Sequence, residues 1–221
     1  MKHRTQIDHR PLFREGTETK YAVLLIHGIV GSPAHFRKLI PAVPENWTVH
    51  NLLLDGHGKG VSDFSRSSMQ KWQTQVERAM EDLLSRHEQV LIIAHSMGTL
   101  LALELAQRYR GRIPFLFLLA VPTRPCLRLT TALTSLRLAL GLYGEEDKKA
   151  MDMLQDTSIR LEPWLWKYLG WIPRYLELFA LVRRARRELL PDLRPPTLCF
   201  QSFRDELVSF RACRDLENNP H

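Results

Sequence analysis

The stretch Val90-Leu91-Ile92-Ile93-Ala94-His95-Ser96-Met97-Gly98-Thr99-Leu100-Leu101 changes its pattern at a single residue. Before Ser96 the run is apolar without alternation, as in a strand buried on both faces. After it, residues 100–109 fall in helical register. A serine on so tight a strand-to-helix turn carries a strained backbone and lifts its hydroxyl above the carboxyl end of the sheet. The positions two before and two after must be small, because strand and helix nearly touch there. Gly98 meets this in full, whereas Ala94 stands where glycine is usual and adds a methyl. A small-x-Ser-x-Gly string also arises by chance around an inert serine at a helix N-terminus. Its place between strand and helix favours Ser96 as a nucleophile.

Outward from this turn, strands and helices alternate. Short apolar runs at Tyr21–Ile26, 48–54, 90–94, 113–121 and 197–201 predict five strands. Apolar residues at three- and four-residue spacing predict helices over 33–43, 69–87 and 100–109, the second being the clearest. Such alternation builds right-handed β-α-β units and hence an α/β fold, a doubly wound mostly parallel sheet. Residues 122–196 break the rhythm, since a crossover needs only a dozen or so residues. This interval, with helices expected over 146–155 and 173–190, reads as a helical cap insertion on a core of residues 1–121 and 197–221. It also holds Trp164, Trp166, Tyr168 and Trp171. These aromatics either build the insertion's own small core or wall a substrate-binding cleft, and the two roles are compatible.

Composition narrows the class. With 221 residues, 44% hydrophobic and 25% charged, the chain is long enough for a substantial core and is neither disordered nor a disulfide scaffold. Its longest apolar stretch, 115–121, is far short of the roughly 20 residues that span a bilayer, and the N-terminal segment has no apolar signal region. Stable membrane insertion is therefore not expected, while peripheral contact stays open. Three scattered cysteines, Cys126, Cys199 and Cys213, lack metal-ligand spacing and suit free thiols in a reducing cytoplasm. The net charge of +7 raises nucleic acid as a partner. The one dense basic run, Arg183, Arg184, Arg186 and Arg187, follows an apolar helical pattern rather than a nucleic-acid motif, and a solvated helix face accounts for it.

Two further strand ends carry polar chemistry. His27-Gly28-Ile29-Val30-Gly31-Ser32 follows the first predicted strand, and its glycines let the backbone turn and expose amides. In a parallel sheet this loop and the serine turn share the carboxyl-end crevice. The amides of Ile29 and Met97 there could form an oxyanion hole, although a plain glycine turn is the simpler reading of either loop alone. Gln201-Ser202-Phe203-Arg204-Asp205-Glu206 follows the last predicted strand. Asp205 can orient an imidazole, with Glu206 as the neighbouring alternative. An acid after a strand is otherwise commonly a helix cap.

Taken together, the loop at 27–32, the Asp55-Gly56-His57-Gly58 loop, the turn at Ser96, the insertion before Thr197 and the acid at Asp205 resemble the α/β-hydrolase superfamily. The resemblance is to its small capped serine esterases, the carboxylesterases and monoacylglycerol lipases, and it covers nearly the whole chain. It implies Ser96 as nucleophile, Asp205 as acid, the amides of Ile29 and Met97 as oxyanion hole, and a structural His57. No metal or organic cofactor is implied.

The sequence departs from the family at the general base. The family places its histidine beyond one more strand after the acid, and only residues 206–221 follow Asp205 here. A helix over 207–217 would carry the chain away from the crevice, and a returning strand of five or six residues is missing. The sequence reads as lacking that last strand and the true histidine; alternatively, an irregular path lets His221 serve as base. His95 should point away from the hydroxyl. The expected activity is a serine hydrolase cleaving carboxylic esters with an apolar acyl group through an acyl-enzyme at Ser96. The alternatives are a thioesterase, an acyltransferase, or a non-catalytic ligand-binding member. Without a base, turnover would drop on the order of 10⁶-fold.

Overall fold

The computed structural model describes residues 8–126, 129–144 and 146–217. Six strands form one sheet: β1 Leu12–Arg14, β2 Tyr21–Ile26, β3 Thr48–Asn51, β4 Gln89–His95, β5 Leu116–Leu119 and β6 Thr197–Phe200, in spatial order β1-β3-β2-β4-β5-β6. All pairings are parallel except β1 with β3. The helices are α1 Val61–Ser65, α2 Met69–Leu84, α3 Met97–Arg108, α4 Leu129–Ala139, α5 Lys148–Asp156, α6 Ile172–Arg184 and α7 Cys213–Glu217.

The order reverses at β2, which has β3 on one side and β4 on the other. At such a switch point the loops leaving adjacent strands diverge and open a crevice at their carboxyl ends. The loops leaving β2 and β4 are 27–32 and the turn at Ser96. Ile26 pairs with Ala94, and His95 pairs with Leu119, so both loops start at nearly the same height.

Strand alternation sends side chains to two layers. Ala22, Leu24, Ile26, Val90, Ile92, Ala94, Leu116 and Leu118 pack with α2 and α3 in the larger core. Val23, Leu25 and Val49 pack with Phe36 and Val43 in the smaller one. Helix α2 follows its sequence stripe, burying Met69, Trp72, Val76, Met80 and Leu83, with the Ser68 hydroxyl accepting from the Lys71 amide at its N-terminus.

The helix expected over 33–43 is replaced by two 3₁₀ turns, Pro33–Phe36 and Ile40–Ala42. Pro41 has no amide to continue a helix and its ring clashes with the preceding turn, yet Phe36 and Val43 still reach the sheet. Strand β1 and helices α1 and α4 were not anticipated. Of the helix expected over 207–217, only a 3₁₀ turn at Phe210–Ala212 and the short α7 form.

Between β5 and β6 the chain forms α4, α5, a 3₁₀ segment Leu165–Trp171, and α6 continued by a π turn at Ala185–Leu189. It is sewn to α1 by Trp171 Nε1 donating to the Val61 carbonyl (3.2 Å) and Arg174 donating to the Ser65 carbonyl (2.7 Å). The Met69 amide donates in turn to Glu177 (2.8 Å). The basic run is a surface: Arg184 pairs with Glu104 and Glu188, and Arg183 and Arg187 are exposed.

Candidate active site

Ser96 stands between the last residue of β4 and the first of α3 with φ 51° and ψ −124°. A non-glycine residue with positive φ is strained and is retained where its surroundings over-determine it. Those surroundings are visible. The Ser96 amide donates to the Leu119 carbonyl of β5 (2.8 Å), and its carbonyl accepts from the Thr99 amide (2.8 Å) and hydroxyl (2.7 Å). With its backbone pinned at both ends, the residue stays half-buried. The turn also needs close approach: a Cβ on Gly98 would lie 2.1 Å from the Ile26 carbonyl oxygen. Ala94 is fully buried between its partners in β2 and β5, so the methyl fits where glycine is usual.

Gly28 brings the other loop against the serine, since a Cβ there would lie 2.8 Å from Ser96 Cβ. The Gly28 carbonyl is held twice, by the Gly31 amide (3.1 Å) and by His27 Nδ1 (2.8 Å). His27 Nε2 accepts from the Leu54 amide (3.0 Å), which puts the ring proton on Nδ1. Complete burial and the neighbouring His57 hold His27 well below the usual imidazole range, so it stays the neutral donor this bond requires. Across a planar trans peptide the Ile29 amide points opposite to the Gly28 carbonyl. Among the described residues neither the Ile29 nor the Met97 amide has a hydrogen-bond partner. Only the loop, not the anchoring role of His27, was legible beforehand, because spacing carries no sign of a ring folding back onto its own backbone.

His57 is built into the core. Its Nδ1 donates to the carbonyls of Leu54 (3.2 Å) and Asp55 (3.1 Å), and its ring meets His27 and Phe64 edge-on. Burial pushes it down to about 4. His95 faces His35 edge-on at 5.3 Å and its Nδ1 is buried without a partner. Burial, then the charge of His35, pulls it to about 4 against a weaker opposite pull from Asp205. Among the described residues no imidazole hydrogen-bonds the Ser96 hydroxyl, and His221 lies outside the described residues.

Asp205 follows β6 as expected and is half-buried. One carboxylate oxygen accepts from the amides of Leu207 (2.8 Å) and Val208 (3.0 Å), while the other meets only Gln201 Nε2 at 3.4 Å. The neighbouring Glu206 is turned away toward Lys149 (2.7 Å) and Thr131. The tryptophans divide. Trp171 packs on Phe64 and Tyr168, whereas Trp164 and Trp166 lie against each other with 51% and 62% of their surface exposed. Among the described residues no group of His, Cys, Asp or Glu side chains is arranged to hold a metal ion, and no helix is long and apolar enough to cross a membrane.

Known proteins resemble this chain. Over 101 residues the chain is 34% identical to a thermostable monoacylglycerol lipase of Bacillus sp. (strain H-257), covering 42% of this chain and 40% of that one. Over 114 residues it is 34% identical to the probable lysophospholipase BODYGUARD 3 of Arabidopsis thaliana, covering 50% of this chain and 23% of that one. The chain thus spans less than half the length of either curated relative. Among solved structures, one from a study of the metagenome-derived lipolytic enzymes LipS and LipT superposes with a TM-score of 0.71 at 22% identity, covering 96% of this chain and 82% of that one. The monoacylglycerol lipase of Paleococcus ferrophilus gives 0.66 at 16% identity, covering 96% and 84%. The family model described as the alpha/beta hydrolase fold matches residues 21–188, most of the chain, and the chain belongs to that family.

Proposed function

We propose that this protein is a serine hydrolase of carboxylic esters with an apolar acyl group. The single observation that carries the reading is the strained, doubly pinned backbone of Ser96, with the unpartnered amides of Ile29 and Met97 on the two flanking elements. Backbone strain of this kind clusters at active sites. The two relatives, a monoacylglycerol lipase and a probable lysophospholipase, support acyl-glycerol-like esters.

In the proposed reaction the Ser96 hydroxyl attacks the ester carbonyl as an imidazole takes its proton. The oxyanion accepts from the Ile29 and Met97 amides, each such donor being worth about 3 kcal/mol in the transition state. The tetrahedral intermediate expels the alcohol, which takes the proton back, and water releases the acyl group by the reverse steps. Asp205 orients the imidazole through its less engaged oxygen. Within this sequence His221 is the candidate base, since no imidazole among the described residues hydrogen-bonds the Ser96 hydroxyl. Residues 122–196 act as the cap, with Trp164, Trp166 and Trp171 as its apolar wall. The three free thiols suit the cytoplasm.

The test is labelling by a fluorophosphonate probe with the Ser96→Ala variant as control, alongside turnover of p-nitrophenyl esters of graded acyl length. Stoichiometric labelling that S96A abolishes, with faster turnover of the longer acyl chains, is expected. Absence of labelling in the unaltered chain would overturn the hydrolase reading.

A further inference from the structure

The segment that follows α5 lies against the back of the oxyanion loop. Ser158 is almost fully buried. Its amide donates to the Val30 carbonyl (2.9 Å) and its hydroxyl to the Gly31 carbonyl (2.6 Å), while the same oxygen accepts from the Gly58 amide (3.3 Å). The Thr157 hydroxyl also donates to the Val30 carbonyl (3.3 Å), and His35 Nε2 meets the Asp156 carbonyl (2.9 Å). Two consecutive residues, Thr157 and Ser158, therefore grip a loop more than a hundred positions away in the chain, and Asp156 before them meets the 3₁₀ turn that follows that loop. The grip coincides with Val30, whose φ of 52° is itself strained.

These contacts reach the proposed oxyanion hole through rigid peptide planes. Holding the Val30 carbonyl toward Ser158, whose hydroxyl shares its proton between the Gly31 and Val30 carbonyls (2.6 and 3.4 Å), turns the Gly31 amide the opposite way, where it donates to the Gly28 carbonyl. Holding the Gly28 carbonyl in turn sets the direction of the Ile29 amide across the next plane. His27 grips that carbonyl from the β2 side, and Ser158 completes the hold from the inserted segment. At its other end α5 is fixed by Lys149 pairing with Glu206, beside Asp205, so the helix spans from the acid loop to the oxyanion loop.

We propose that Ser158 is a positioning residue for ester hydrolysis, clamping the Val30-Gly31 backbone so that the Ile29 amide stays aimed at the developing oxyanion. The inference rests on the hydrolase reading above. A misaimed donor weakens transition-state binding more than substrate binding, and displacement of about 1 Å can cost 10²-fold in rate.

The experiment compares the full chain with its Ser158→Ala, Ser158→Thr and Thr157→Val variants by fluorophosphonate labelling rate, steady-state turnover of p-nitrophenyl butyrate and thermal melting. S158A is expected to lower both the labelling rate and kcat about 10- to 100-fold with KM changed less than about threefold. Melting should move by only a few degrees. S158T, which keeps the hydroxyl, should recover most of the rate. An S158A variant as fast as the unaltered chain would overturn the proposal, as would a rise in KM at constant kcat or an S158T variant as slow as S158A. Should S158A fail to fold, T157V decides: a loss of about threefold supports the clamp and an unchanged rate overturns it. An unaltered chain that does not label at Ser96 is a separate result, removing the hydrolase reading and the clamp's purpose together.

Discussion

A Cβ atom on Gly98 would sit 2.1 Å from the carbonyl oxygen of Ile26, so the first turn of α3 rests directly on the end of β2. Contact with backbone leaves no side chain to swing aside. Gly98→Ala should therefore destabilise by more than about 3 kcal/mol or abolish soluble expression, read as the urea midpoint. Ala94→Gly, which restores the glycine usual at that position, should not improve the protein. It removes a buried methyl and adds backbone freedom to a central strand, costing about 1–2 kcal/mol together.

The same turn predicts one substitution that stabilises. Ser96 holds φ 51°, a region that glycine enters without steric cost and alanine does not. Ser96→Gly should raise stability by about 1 kcal/mol relative to Ser96→Ala, with both variants inactive. Equal melting temperatures for the two would show that the turn carries no such strain.

What could be read in advance follows from which interactions are local. Strands β2, β4 and β5 announce themselves because a strand buried on both faces must be apolar throughout, and α2 because its stripe repeats within the helix. The positions of Ser96, Ile29 and Met97 follow from the rule that loops leaving parallel strands share one end of the sheet. β1, with three residues, is too short to show a period. The hold of Ser158 on Gly31 spans 127 positions, and no short-range pattern encodes it. At Asp205 the sequence left two roles open. Its carboxylate holds the Leu207 and Val208 amides in a loop, whereas the next helical turn, at Phe210, is capped by Ser209, and the second oxygen meets only Gln201.

The buried histidines set the acid limit of stability. His57 and His95 sit at about 4 in the folded protein, against 6.5 when exposed. Between those values the unfolded chain binds protons that the folded one refuses, so stability falls as pH drops from about 6.5 to about 4. Below about 4 these two groups add no further loss. Each is worth on the order of 3 kcal/mol across that window. The melting temperature should thus fall steeply from pH 7 to pH 5. His57→Asn, which keeps a donor near the Leu54 and Asp55 carbonyls but does not titrate, should flatten the slope. A slope unchanged in H57N would remove His57 from this account.

The two kinds of tryptophan between β5 and β6 should separate stability from substrate binding. Trp171 lies edge-on to Phe64 at 4.8 Å and donates from Nε1 to the Val61 carbonyl. Trp171→Ala thus removes a packed ring and one of the two side-chain donors to the Val61 carbonyl, the Ser65 hydroxyl being the other, a loss of about 3 kcal/mol that lowers the melting temperature. Trp166, 62% exposed and touching Trp164, has little packing to lose, and Trp166→Ala should change stability by no more than about 0.5 kcal/mol. If Trp164 and Trp166 receive the acyl chain, W166A should instead raise KM for p-nitrophenyl esters, more for a decanoyl than for an acetyl group, because each buried methylene is worth about 0.8 kcal/mol. An equal effect on both esters would place the acyl chain elsewhere and leave Trp166 as surface.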